Sequence, residues 1–129
     1  MDAEIKNLRR KLKAGADFIL TQPIYDATLV SRFFEHYDKA YGKLPVPLIV
    51  GLLPLASARH AAFLQSEVPG IVIPPQTMAL MNASGDQGAS TGIQLSVDLI
   101  QHIKPYAQGI YLMPAFQRYD YAAEIIRSV

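Results

Sequence analysis

Few side chains in this sequence could do chemistry, and three short stretches combine them with a backbone able to aim them at a ligand. Thr21-Gln22 follows the apolar run Asp17-Phe-Ile-Leu, Gly51-Leu-Leu-Pro54 follows Pro47-Leu-Ile-Val, and Tyr111-Leu-Met-Pro114 follows Gly109-Ile. Gln22 carries two amide donors and a carbonyl acceptor, the inventory needed to read a heterocycle with adjacent N–H and C=O groups. The same amide could simply satisfy backbone at a strand end, and spacing does not separate the two. His60 falls in the first turn of the helix after the second strand and can face a ligand there. His36 reads as lying near the inner face of its helix and His102 on an outer face. Neither has an acidic partner at ligand spacing, so no metal site is expected.

The chain has no Ser-His-Asp order, no paired inward carboxylates, and neither EF-hand nor P-loop spacing. The basic residues Lys6, Arg9, Arg10, Lys11 and Lys13 could meet a phosphate, although a solvated helix face explains them equally well. These groups bind and shape, and no catalytic residue is expected within the chain.

The elements that must position these groups follow from periodicity. Ile5, Leu8 and Leu12 mark a helix over 3–14 that stops at Gly15. A buried strand over 17–21 leads to Asp26, which can cap a helix over 26–41 with Leu29, Val30, Phe33, Phe34 and Tyr37 on one stripe. A strand over 47–51 is followed by a helix capped at Ser57, with Ala61 and Leu64 inward. The prolines around Ile71-Val72-Ile73 disfavour a strand inside a sheet, so 68–75 reads as an extended connector. Pro75 suits the first turn of a helix to about Met81, and 82–86 reads as a loop. A long helix over 87–104 carries Ile93, Val97, Ile100 and Ile103 on one face. A third strand over 109–113 and a helix over 118–128, with Tyr121, Ala122, Ile125 and Ile126 inward, complete the order.

Apolar rather than alternating strands between helices indicate a parallel sheet covered on both faces. Three strands are far fewer than the eight of a (β/α)8 barrel, which needs about 250 residues. The 129 residues are therefore expected to be one domain, about three β/α units of an incomplete TIM barrel. No Gly-rich phosphate turn follows a strand, which argues against a dinucleotide-binding sheet. The net charge is +1, no cysteine is present, and no stretch approaches the roughly 20 apolar residues of a membrane span. A soluble cytoplasmic protein is expected, with no nucleic-acid or membrane partner.

Three blocks, LRRKLKAGADFILTQPIYD (8–26), PLIVGLLPLASARHAAFLQSEVPGIVIP (47–74) and QGIYLMPAFQRYDYAAEII (108–126), together resemble the C-terminal part of the methylenetetrahydrofolate reductase barrel. The resemblance is closer to the bacterial form fused behind a homocysteine S-methyltransferase module than to the stand-alone enzyme. It implies a TIM-barrel flavoprotein that uses FAD and NAD(P)H to convert 5,10-methylenetetrahydrofolate to 5-methyltetrahydrofolate. By position it implies that Gln22 contacts the pterin, Lys11 the FAD phosphates and Glu4 the adenosine end, with Gly51 and Pro54 under the substrate.

Departures from the family pattern are also visible. His60 and Leu64 replace a glutamine and a phenylalanine that line the aminobenzoate region, so ring stacking there is expected to be lost, and Tyr111 stands where relatives carry another aromatic pattern. The protonating acid and the groups around the flavin ring belong to the upstream half of the family's barrel. The chain alone is accordingly expected to be inactive. Two other readings stay open: a barrel enzyme for another pterin or phosphorylated ligand, and an inactive half-barrel that self-associates through unpaired edges of the first and third strands.

Overall fold

The structure is a computed structural model describing residues 1–129. Its helices and strands, in chain order, are α1 (Asp2–Lys13), β1 (Ile19–Pro23), α2 (Ala27–Tyr41), β2 (Leu48–Leu52), α3 (Ala58–Glu67), α4 (Pro75–Ala83), α5 (Gly88–Ile103), β3 (Gly109–Leu112) and α6 (Tyr119–Ser128). Short 3-10 turns at Gly85–Gln87 and Ala115–Gln117 precede α5 and α6. The strands form one parallel sheet in the order β1-β2-β3, so the fold is α/β and the outer edges of β1 and β3 are unpaired.

Local chemistry sets most boundaries. Asp26 caps α2 by accepting from the Thr28 N–H at 2.9 Å, and Ser57 caps α3 by accepting from the His60 N–H at 3.0 Å. Pro75 occupies the first turn of α4, where its missing N–H costs nothing. Gly15 follows α1 at φ +108°, a conformation that carries no side-chain penalty in glycine. The Ile71–Ile73 segment is extended without joining the sheet, burying Ile71 and Ile73 while Val72 faces out. Gln65 secures it by accepting from the Ile73 N–H at 3.3 Å.

Three expectations need correction. β1 lies two residues later than 17–21, because a bulge admits Thr21 through Pro23 to the ladder, and an edge strand tolerates proline. The sheet is covered on one face only. Leu48, Val50 and Leu52 of β2 pack under Val30 of α2, Ile93, Ile100 and Ile103 of α5 and Ile125 of α6. On the other face Leu20, Ile49 and Gly109 lie in register, and Leu20 remains 55% exposed. Finally, Ile126 and His36 point outward, since Ile125 and Tyr37 take the inward positions of their helices. Each fully buried aliphatic side chain stabilises the fold by about 1.5–3 kcal/mol, so the middle strand holds the layer together. The buried Tyr37 hydroxyl has no hydrogen-bond partner.

A separate cluster of Leu55, Ala61, Leu64, Ile71, Ile73 and Met81 gives the long excursion between β2 and α5 its own core. It is seated on the sheet by α5, whose Gly88 and Gly92 lie against the backbone of Leu55, Ala56 and Ser57. A Cβ on Gly92 would overlap the Leu55 carbonyl oxygen. Gly92→Ala should therefore destabilise the protein by about 3 kcal/mol, as overpacking against unyielding backbone does. Urea unfolding measures this, and an unchanged midpoint would contradict the contact.

Candidate functional site

The C-terminal ends of the strands are organised by the β1 bulge. Leu20 pairs with Ile49 and Pro23 with Gly51, so three steps along β1 answer two along β2. Bulges bend a strand and re-aim its side chains. Here the Thr21 hydroxyl replaces the missing ladder partner, accepting from the Gly51 N–H at 3.0 Å and donating to the Gln22 carbonyl at 2.7 Å. Ladder pairing resumes with the Ile24 N–H donating to the Gly51 carbonyl at 3.1 Å.

The displaced Thr21 carbonyl accepts a hydrogen bond from the Tyr111 hydroxyl, which reaches it from β3 across the whole of β2. This crossing passes over Gly51. A Cβ there would stand 2.6 Å from the Tyr111 oxygen and 2.9 Å from the Thr21 carbonyl oxygen. Tyr111 thus ties three strands into one floor at their C-terminal ends.

The bulge leaves Gln22 exposed at the rim of that floor. Its amide lies against Gly70, where a Cβ would come within 2.8 Å of Nε2. Gly70 has φ +85°, a turn that glycine makes without strain and that brings the excursion beside Gln22. Beneath this region the Tyr25 hydroxyl donates to the Leu53 carbonyl at 2.7 Å, and burial raises its pKa.

His60 is half-buried, and its Nδ1 accepts from the Ala56 N–H at 3.1 Å, leaving Nε2 to carry the proton of the neutral ring. Burial lowers its pKa, so the imidazole is uncharged at neutral pH. Its ring meets Phe116 edge to face, with centroids 5.1 Å apart. Ser57, Arg59 and Phe63 complete this groove of about 480 Å³, which Gln22 does not line. Leu64, expected beside His60 as a substrate contact, is instead 5% exposed in the core of the excursion. Leu64 shares with Ala61 the stripe of α3 that packs into this core, so its contribution is packing.

Lys11 and Glu4 share another groove, of about 470 Å³, between α1, α2 and the edge of β1. Its floor is apolar, with Ile19, Phe33 and Phe34, and Thr21 reaches it from below. The Glu4 carboxylate is exposed and ion-pairs with the N-terminal ammonium at 2.7 Å. The basic residues of α1 do not form one patch. Arg9 lies over the Tyr41 ring at 5.1 Å and Arg10 donates to Asn7 at 3.2 Å, while Lys11 faces the groove. His36 and His102 each have Nδ1 against a carbonyl one helical turn back, and no cluster of metal-ligating side chains occurs.

Sequence reasoning missed Phe63, Phe116, Arg59 and Gly70. Phe116 was findable as an aromatic directly beyond a strand end, and Phe63 as an apolar residue off the inward stripe of its helix. Nothing local marks the approach of Gly70 to Gln22.

The methylenetetrahydrofolate reductase family model matches residues 1–128. Methylenetetrahydrofolate reductase 1 of Schizosaccharomyces pombe is 31% identical over 114 residues, covering 85% of this chain and 18% of that protein. Methylenetetrahydrofolate reductase 2 of Saccharomyces cerevisiae is 34% identical over 74 residues, covering 57% of this chain and 12% of that protein. The chain therefore spans less than a fifth of the length of these curated relatives. Among solved structures, an uncharacterized protein from Clostridium thermocellum, described as binding two copies of 5-methyl-5,6,7,8-tetrahydrofolic acid, shares the fold. Its TM-score is 0.64 at 20% identity, over 97% of this chain and 46% of that one.

Two measurements test the geometry. Tyr111→Phe should cost about 1 kcal/mol by leaving the Thr21 carbonyl without its partner, whereas a neutral result in chemical denaturation would remove Tyr111 as the tie. The lowered His60 pKa means that the unfolded chain binds this proton more readily than the folded one. Its contribution is present above the ordinary value of 6.5 and is lost as pH falls through the lower folded value. Stability should fall on acidification below 6.5, and His60→Gln should flatten that slope; an identical slope in the variant would refute the assignment.

Proposed function

The chain belongs to the methylenetetrahydrofolate reductase family, and from that premise we propose that it forms the C-terminal β/α units of a TIM-barrel reductase. The reaction is conversion of 5,10-methylenetetrahydrofolate to 5-methyltetrahydrofolate with NADH or NADPH as reductant. The observation that carries this reading is the bulge that delivers the Gln22 amide to the strand-end rim, at the position of the family's pterin-binding glutamine. In this role Gln22 reads the donor and acceptor edge of the pterin. The floor made by Tyr111 over Gly51 lies beneath the ligand and keeps water from its underside.

The residues present fit one limb of a flavin dinucleotide. Lys11 offers an exposed ammonium suited to phosphate, with Glu4 on the same wall of the groove. When bound, FAD supplies the hydride chemistry of the reaction. His60 is held neutral with Nδ1 occupied, which suits a wall of the site better than a proton donor. We therefore assign the protonating acid and the flavin-ring contacts to chain beyond these residues, and the chain by itself is inactive. The free edges of β1 and β3 are where the other barrel strands pair. A barrel enzyme for a different pterin is the second reading, favoured by the use of Gln22 without any requirement for flavin.

Joined to the complementary half of a family barrel, the chain should take up FAD and form 5-methyltetrahydrofolate, while alone it should do neither. Gln22→Ala in the joined protein should lower kcat/KM for the folate about tenfold, the effect of losing the amide's hydrogen bonds to the ligand. A joined protein that folds without flavin absorbance would sink the reductase reading and favour the second.

A further inference from the structure

We propose that Gly70 is a positioning residue for Gln22. The Pro69-Gly70 turn presents a notch that seats the head of the Gln22 amide, so that the side chain meets a flat ligand edge already ordered. The inference rests on the folate reading above, in which Gln22 contacts the pterin, and it gives the excursion between β2 and α5 a part in that recognition.

The seat begins in local chemistry. Val68-Pro69-Gly70-Ile71 closes on itself, with the Ile71 N–H donating to the Val68 carbonyl at 3.3 Å. Proline in the first central place fixes its own φ near about −65°, and glycine in the second has φ +85°. That combination is a type II turn, in which few other conformations are open to the pair. Both ends of the turn are anchored. The Val68 N–H donates to the Leu64 carbonyl at 3.2 Å where α3 ends, Val68 packs against the core of the excursion, and Ile71 belongs to that core. The notch is therefore carried on a rigid edge and not on a loose loop.

The contact with Gln22 is directional. A Cβ on Gly70 would stand 2.8 Å from Nε2, 3.0 Å from Oε1 and 3.4 Å from Cδ. Both polar atoms lie nearer that point than the carbon joining them, so the amide enters the notch head first rather than lying flat on it. Any side chain at position 70 would take the place of the amide. The Thr21 hydroxyl engages the Gln22 backbone carbonyl, while the amide itself makes no hydrogen bond within the chain. Seating is thus by shape, and it leaves the amide's hydrogen bonds for a ligand, since each polar atom has two places to make one. The bulge of β1 fixes the backbone of Gln22 and Gly70 fixes the far end of its side chain. Glutamine loses much rotamer freedom when it is immobilised, and a side chain already confined loses less on meeting its ligand.

The test reads order and recognition separately. In the chain alone, nitrogen relaxation of side-chain amides should show Gln22 more ordered than Gln101, an exposed glutamine on α5 with no such seat. Gly70→Ala, which fills the notch, should bring Gln22 to the mobility of Gln101. Gly70→Asn should do the same without straining the turn, because asparagine tolerates positive φ. In the joined protein, Gly70→Ala should raise KM for the folate about fivefold with kcat little changed, the effect of lost pre-ordering. It should add nothing to the loss already caused by Gln22→Ala, because the two residues act through one contact.

A Gln22 amide as mobile as Gln101 in the wild-type chain, or order that survives both replacements, overturns the seat. So does an unchanged KM in a Gly70→Ala protein that turns over folate, or a rise in KM of equal size with and without Gln22, the mark of general damage to the excursion. Failure of the reductase reading is seen separately. A joined protein that lacks flavin, yet holds Gln22 ordered until Gly70 is replaced, keeps the seat and removes the reductase.

Discussion

The hydrogen bond from the Tyr111 hydroxyl to the Thr21 carbonyl, laid across Gly51, is the interaction on which the strand-end geometry depends. It can form only if β1 bulges to free that carbonyl, if β2 carries no side chain at position 51, and if β3 places its tyrosine in register with the glycine. Each condition lies on a different strand. The Thr21 hydroxyl makes the bulge affordable by standing in for the lost ladder partner of Gly51. The position of Gln22 at the rim is a by-product of the same bulge.

The second organising element is the excursion from Leu53 to Gln87. Such a long connection would be loose if it had to rely on the sheet for its packing. It instead carries its own six-residue core and is clamped to the sheet by the close approach of Gly88 and Gly92. This arrangement explains how α3 presents His60, Arg59 and Phe63 outward while Ala61 and Leu64 hold the helix in place. Phe63, one residue before Leu64, and Phe116, from the turn after β3, line the groove with His60.

The one-sided sheet bears on how the chain is used. Helices bury the Leu48, Val50 and Leu52 side, while Phe18 and Leu20 stay more than half exposed. Parallel sheets are found almost entirely with both faces covered. Exposed apolar side chains on the bare face and unpaired outer edges leave this sheet open to further packing and pairing. The groove holding Lys11 and Glu4 opens on the same free edge of β1.

By itself the sequence determined the αβ-αβ-αα-βα order, the caps at Asp26 and Ser57, the helix start at Pro75 and the unladdered Ile71–Ile73 connector. It also carried the family motifs. These features are written in apolar period and capping chemistry over a few consecutive residues, where neighbours in sequence are neighbours in space. Tertiary structure alone decided the β1 bulge, the passage of Tyr111 over Gly51, the contact of Gln22 with Gly70, the burial of Leu64 and the pairing of His60 with Phe116. The hydrogen bonds that fix the floor join residues 30 and 90 positions apart. Register and close approach over such separations depend on how whole elements pack, and no local pattern encodes them.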